Sequence, residues 1–142
     1  LDNIQNPSIH SLLSSKYHEA QMYRLNIHAE IPDPVVHSYL TDLDLAVILG
    51  HLMDNAIDGA RKASEGFISL AYFDEEDCQS FIIESTIAEE QVPLSMMSTQ
   101  LSHPEGGIGV NAVQDILERY PNTSFSVRSQ KHKMMQILEM RP

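Results

Sequence analysis

The sequence predicts an α+β fold: a two-layer α/β sandwich with one mixed sheet and its helices on one face. Three observations point there. At 142 residues the chain has the length of one ordinary domain. Its apolar periods run in the order helix, strand, long helix, strand pair, long loop, helix, strand pair. Strands that come in adjacent pairs suit antiparallel hairpins, and the helices are partly segregated from them, which favours two layers over a doubly wound sheet.

Residues 7–22 read as the first helix. Pro7 suits an early helical position, and Ile9, Leu12, Leu13, Tyr17 and Ala20 recur at helical spacing. Residues 24–30 alternate polar and apolar like a half-buried strand, and Ile31-Pro32-Asp33-Pro34 breaks regular structure. The long helix spans 41–63. Thr41 is its N-cap, Asp42 and Asp44 favour its positive end, and Arg61 and Lys62 its negative end, with Gly66 as the stop. Strands follow at 67–73 and 79–87 around the acidic turn 74–77. Residues 88–108 have no period and hold Pro93, Pro104, Gly106 and Gly107; a loop this long in so small a domain is more often functional than idle. Helix 109–119 carries Val110, Val113, Ile116 and Leu117 at 3–4 spacing, and strands 123–130 and 134–140 close on the basic turn Lys131-His132-Lys133.

Composition excludes several classes. Apolar residues make up 42% and charged residues 20%, as in a globular protein. The formal charge of −11 repels a phosphate backbone and an anionic leaflet, so nucleic acid and direct membrane contact are not expected partners. A small phosphate ligand stays open, because backbone N–H groups and a metal can hold one. The single cysteine, Cys78, makes no internal disulfide and fits a reducing compartment. No apolar run approaches the roughly 20 residues needed to cross a bilayer. The start Leu1-Asp2-Asn3-Ile4 lacks a Met and a basic signal-like region, so a piece of a larger protein is expected.

Two places carry the chemistry. On the long helix His51, Asn55, Asp58 and Lys62 share one stripe, while Leu45, Leu49, Leu52, Ala56 and Ala60 fall on another that would seal the helix onto the sheet. An amide and a carboxylate one turn apart can offer oxygen to Mg²⁺; the same stripe also suits a plain solvated face. His51 suits a general base or a metal ligand, or a histidine that merely borders a pocket. The second place is Glu105-Gly106-Gly107-Ile108-Gly109-Val110, where glycines run straight into a helix and its first free N–H groups can face an anion. It is neither a Walker A loop nor G-x-G-x-x-G after a strand, and a hinge or cap would look the same. Upstream, Ser98-Thr99-Gln100 offers hydroxyls to a phosphate or to its own backbone.

Together these pieces resemble one family. The run Asp42-Leu43-Asp44-Leu45-Ala46-Val47-Ile48-Leu49-Gly50-His51-Leu52-Met53-Asp54-Asn55-Ala56-Ile57-Asp58-Gly59-Ala60 is similar to the N-box of the GHKL ATPase superfamily. It most resembles sensor histidine kinases of the peptide quorum-sensing type, with their pattern D-L-x-x-I-L-G-N-L-L-D-N-A-I-E-A. Ile83-Glu84-Ser85-Thr86-Ile87 sits where that family ends a strand with V-E-N-T/S. Ser98-Thr99-Gln100 sits at S-T-K, Gly107-Ile108-Gly109-Val110 at G-I-G-L, and Tyr120-Pro121-Asn122 at the following turn.

The resemblance implies a Bergerat-type ATP-binding fold, a mixed, mostly antiparallel sheet with ATP and Mg²⁺ as ligands. The 88–108 loop would be a lid. Asn55 would coordinate the metal, Ser85 would meet the adenine, and Asp58 and Lys62 would border the nucleotide. Ser98, Thr99, Gly107, Ile108, Gly109 and Val110 would hold phosphates, and His51 would take the catalytic position. It implies a single domain over 1–142, with residues 1–6 left from the linker to an absent dimerisation and phosphoacceptor helix. The partners would be that phosphoacceptor domain and, indirectly, a response regulator, with a cytoplasmic location. Four departures remove charge or reach: His51 for Asn, Ser85 for Asp or Asn, Gln100 for Lys, and Gly106 for a basic residue. The alternative they raise is a degenerate GHKL domain that serves protein interaction.

Overall fold

The first helix, α1 (Pro7–Met22), starts where Asn6 can cap it: the Asn6 side chain accepts from the N–H groups of Ser8 and Ile9, and Pro7 fills the opening position. The computed structural model describes residues 1–90 and 108–142, with side chains from 113 onward in the second stretch. Residues 1–6 are docked rather than loose. Ile4 is buried in the core and forms a parallel bridge with Val35. The Asn6 amide also donates to Asp42 at 2.6 Å, joining the starts of the first two helices.

After α1 the chain turns through Arg24 at φ 60°, and the Leu25 N–H returns to the Ala20 carbonyl. Those two residues finish the helix, so β1 is Asn26–Glu30, shorter than the expected 24–30. α2 (Asp42–Lys62) follows, with Thr41 as its cap accepting from the Asp44 N–H, the two aspartates in its first turn and Arg61 and Lys62 in its last. Leu45, Leu49, Leu52, Ala56 and Ala60 are all buried, as their spacing predicts. Ile48, Met53 and Ile57 are buried too, because α1 covers a second flank of this helix.

β2 (Phe67–Glu75) and β3 (Cys78–Thr86) form a hairpin. The turn is only Glu76-Asp77; Asp74 and Glu75 stay in register with Gln79 and Cys78, so the expected four-residue turn is two residues too long. α3 (Ile108–Arg119) leads into β4 (Thr123–Gln130) and β5 (Lys133–Met140). The sheet order is β1-β2-β3-β5-β4, parallel only between β1 and β2 and antiparallel elsewhere. α2 makes the crossover that the parallel pair requires.

Burial alternates along β2, β3 and β5, and the buried phase always faces the helices. Ile68, Leu70, Tyr72, Phe81, Ile83 and Leu138 meet the apolar side of α2 there, and Val113 and Ile116 bring α3 into the same core. The architecture is the expected two-layer sandwich. Among the described residues no helix is long and apolar enough to cross a membrane.

Candidate functional site

α2 and α3 are tied at one end by a carboxylate. Asp44 is 7% exposed, accepts from the Tyr120 hydroxyl at 2.6 Å, and takes the Arg119 guanidinium at 3.0 Å. The Tyr120 hydroxyl also accepts from the Thr41 N–H at 3.3 Å, so one phenol closes the N-cap of α2 and the end of α3 together. The hydrogen bond from Tyr120, helped by Thr41 and Arg119, outweighs burial and holds the Asp44 carboxyl below the usual carboxylate range.

Further along α2, Asn55 is 8% exposed, so the solvated-face alternative does not describe it. Its Nδ2 donates to Oε1 of Gln136 on β5 at 3.3 Å, and Gln136 Nε2 donates to the Leu52 carbonyl at 3.0 Å. Asn55 Oδ1 takes no hydrogen bond among the described residues. One turn on, Gly59 lets α2 lie against the end of β3. A methyl group there would sit 3.0 Å from Ile87 Cγ2 and 3.3 Å from the Thr86 carbonyl. The same close approach brings Ser85 beneath the helix. Its side chain is fully buried, and its Oγ has no partner among the described residues. A buried hydroxyl without a partner costs about 1–3 kcal/mol, which a ligand atom at this spot would recover.

The rest of the expected stripe is divided. Asp58 lines a cleft of about 220 Å³ between α1 and α2, with Lys16, Glu19, Tyr23, Asp54 and Arg61. There Lys16 pairs with Asp54 at 2.6 Å, and Arg61 stacks 3.9 Å above the Tyr23 ring, turned toward α1. Lys62 is exposed on a different recess, of about 430 Å³, bordered by Thr86, Ile87, Lys131, His132 and Lys133. His51 is half-buried and has no hydrogen bond among the described residues. Ile108, Gly109 and Val110 form the first turn of α3. Ser98, Thr99 and Gly107, with Gln100 and Gly106, lie outside the described residues.

The turn between β4 and β5 fastens the chain beyond β3. Lys131 and His132 both adopt left-handed backbone, at φ 51° and 62°, which costs an L-residue about 1–2 kcal/mol. His132 repays this with three bonds. Its carbonyl accepts from the Ile87 N–H at 2.9 Å, its N–H donates to Glu90 O at 3.0 Å, and its ring Nδ1 meets Ala88 O at 3.1 Å. A carbonyl only accepts, so Nδ1 carries the proton.

Sequence reasoning missed Gln136 and the Asp44–Tyr120 bond. The first had a signal: in Met134-Gln136-Leu138-Met140 a glutamine occupies the buried phase of a strand.

α2, which carries the run that resembles an N-box, lies on the covered face of a mixed five-stranded sheet. The sequence profile described as "GHKL domain" matches residues 40–141, and the chain belongs to that family. Its fold is that of histidine kinase catalytic domains. The nucleotide-free catalytic domain of histidine kinase ThkA superposes with a TM-score of 0.76 at 13% identity, covering 96% of this chain and 92% of that one. The mycobacterial sensor histidine kinase MprB gives 0.67 at 12%, covering 93% of each chain. ThkA in complex with the response regulator TrrA gives 0.73 at 13%, covering 97% of this chain and 40% of that one. No curated protein matches the chain by sequence.

Proposed function

We propose that this chain is the ATP-binding catalytic domain of a bacterial two-component sensor histidine kinase, of the peptide quorum-sensing type. It presents Mg²⁺-ATP for transfer of the γ-phosphoryl group to a histidine on a separate dimerisation domain of the same parent protein. A response regulator is the indirect partner, and the location is cytoplasmic. Residues 1–142 form a single domain, and residues 1–6 are the linker stub, entering it at the buried Ile4.

The observation that carries this reading is the Ser85 hydroxyl. It is buried, with no partner among the described residues, at the point where Gly59 lets α2 touch the end of β3, one turn from Asn55. The residues present fit the implied ligands. Asn55 Oδ1 is a hard oxygen, and Mg²⁺ is commonly held by one or two protein oxygens plus phosphates. Among the described residues no cluster of His, Cys, Asp or Glu competes for a metal. Ser85 would meet the adenine edge. Ser98, Thr99, Gly107, Ile108, Gly109 and Val110 would take the phosphates, with Asp58 and Lys62 at the margins and His51 in the catalytic position. Bound Mg²⁺ supplies neutralisation of phosphate charge; the protein contributes placement.

Calorimetric titration with ATP, with and without Mg²⁺, tests the proposal. Micromolar to millimolar binding that Mg²⁺ strengthens, with the Mg²⁺ dependence lost in Asn55→Ala, is the expected result. Silence up to several millimolar ATP refutes it and favours an interaction module.

A further inference from the structure

Gln136 lies beneath α2, 1% exposed, with each end of its amide committed. The Leu52 carbonyl can only accept, so it dictates that Gln136 turns Nε2 toward it. Oε1 is then left facing Asn55, and an amide oxygen can only accept, so Asn55 must turn its Nδ2 inward. The opposite flip of Asn55 would bring two oxygens together in a dry gap and leave both unpaired. The orientation of the Asn55 amide is thus set by a backbone carbonyl, relayed through one side chain on the sheet. With Nδ2 held inward, Oδ1 is the amide atom turned away from Gln136.

We propose that Gln136 is a positioning residue: it fixes the flip of the Asn55 amide so that oxygen, and not nitrogen, is presented to a divalent cation. The inference rests on the nucleotide-binding reading above. It requires a side chain that donates at one end and accepts at the other while remaining uncharged. Glutamine satisfies this; an ionised carboxylate would not donate to Leu52, and an ammonium would not accept from Asn55. Outer partners that orient a metal ligand are typically worth about 10–100-fold in metal affinity or activity.

The test compares the wild-type chain with Gln136→Met, Gln136→Glu and Asn55→Ala, each titrated with ADP with and without Mg²⁺. Gln136→Met keeps length and apolar volume but loses both bonds. It is expected to weaken Mg²⁺-dependent binding about tenfold or more, leaving Mg²⁺-free ADP affinity unchanged. In nitrogen-labelled, nucleotide-free protein the Asn55 side-chain amide protons should exchange with water faster in this variant. Gln136→Glu should regain Mg²⁺ dependence, relative to wild type at each pH, as the pH is lowered. A protonated carboxyl donates to Leu52 and still accepts from Asn55, so this variant decides the question if Gln136→Met does not fold. Intact Mg²⁺ dependence in Gln136→Met, together with its loss in Asn55→Ala, overturns the positioning role alone. Equal weakening with and without Mg²⁺, unchanged amide exchange, or a Gln136→Glu profile without recovery also overturns it. A wild-type chain without Mg²⁺-dependent binding, or an Asn55→Ala variant that retains it, overturns both this role and the proposed function.

Discussion

Among the described residues, the Tyr120 hydroxyl and the Arg119 guanidinium both reach the carboxylate of Asp44, and they should contribute unequally to stability. The Tyr120 hydroxyl donates to it at 2.6 Å, a short bond to an ionised group that is 7% exposed. Such bonds contribute about 1.5–3 kcal/mol. The Arg119 side chain is 59% exposed, so its 3.0 Å ion pair is screened by water and should contribute about 0.2–1 kcal/mol. Tyr120→Phe therefore costs about 2 kcal/mol, or about 6 °C in melting temperature for a domain of this size, and Arg119→Gln less than half of that. The pH dependence follows from the depressed carboxyl. A folded value below the unfolded one gives stability that is present above the ordinary aspartate value of 3.8 and is lost as pH falls through the folded value. The gap between Tyr120→Phe and wild type should hold from pH 7 to about 5 and narrow below 3.8. Urea unfolding of both variants across that range measures it. An Arg119→Gln cost equal to or above that of Tyr120→Phe, or a gap that stays constant into acid, refutes the reasoning.

The same Tyr→Phe change should have the opposite sign at Tyr72. That ring is 1% exposed and packs edge-to-face on Phe81 with centroids 5.4 Å apart, but its hydroxyl has no partner among the described residues. Burial raises its pKa above the ordinary phenol value, so the hydroxyl stays neutral. Tyr72→Phe removes an unpaired oxygen and should raise stability by about 1 kcal/mol; a lowered urea midpoint contradicts this. In the β4–β5 turn, Lys131→Gly should add about 1 kcal/mol by relieving the left-handed backbone at φ 51°. His132→Gly should gain less, because it also removes the ring contact to Ala88; thermal melts of the two rank them.

The fold was legible where local chemistry and periodicity agree. α2 shows this best: cap, acidic start, apolar stripe and basic end all lie within 41–63 and all hold in the structure. Strand ends were less legible. Arg24 and Leu25 alternate like strand residues but complete the turn out of α1, and Asp74 and Glu75 look like turn residues but continue the β2–β3 ladder. The parallel pairing of β1 with β2 has no local sign, since α2 lies between them in the chain. At the candidate site, the family resemblance pointed to Asn55 and Ser85, whereas Gln136 bonds Asn55 across 81 positions. Nothing in the N-box predicts that contact. The division of Asp58 from Lys62 also escaped the helical wheel, because α1 walls off one flank of α2 and the β4–β5 turn borders the other.

β5 is a beam with two fittings. Near its middle Gln136 grips the helix that carries Asn55, and the turn just before its first residue grips the backbone at Ile87, Ala88 and Glu90. A substitution that twists or slides this strand displaces both at once, so neither can be retuned alone from the sheet side. Randomising β5 should yield variants whose Asn55 orientation and whose 87–90 geometry change in concert, whereas changes on the outer helix surfaces should separate them.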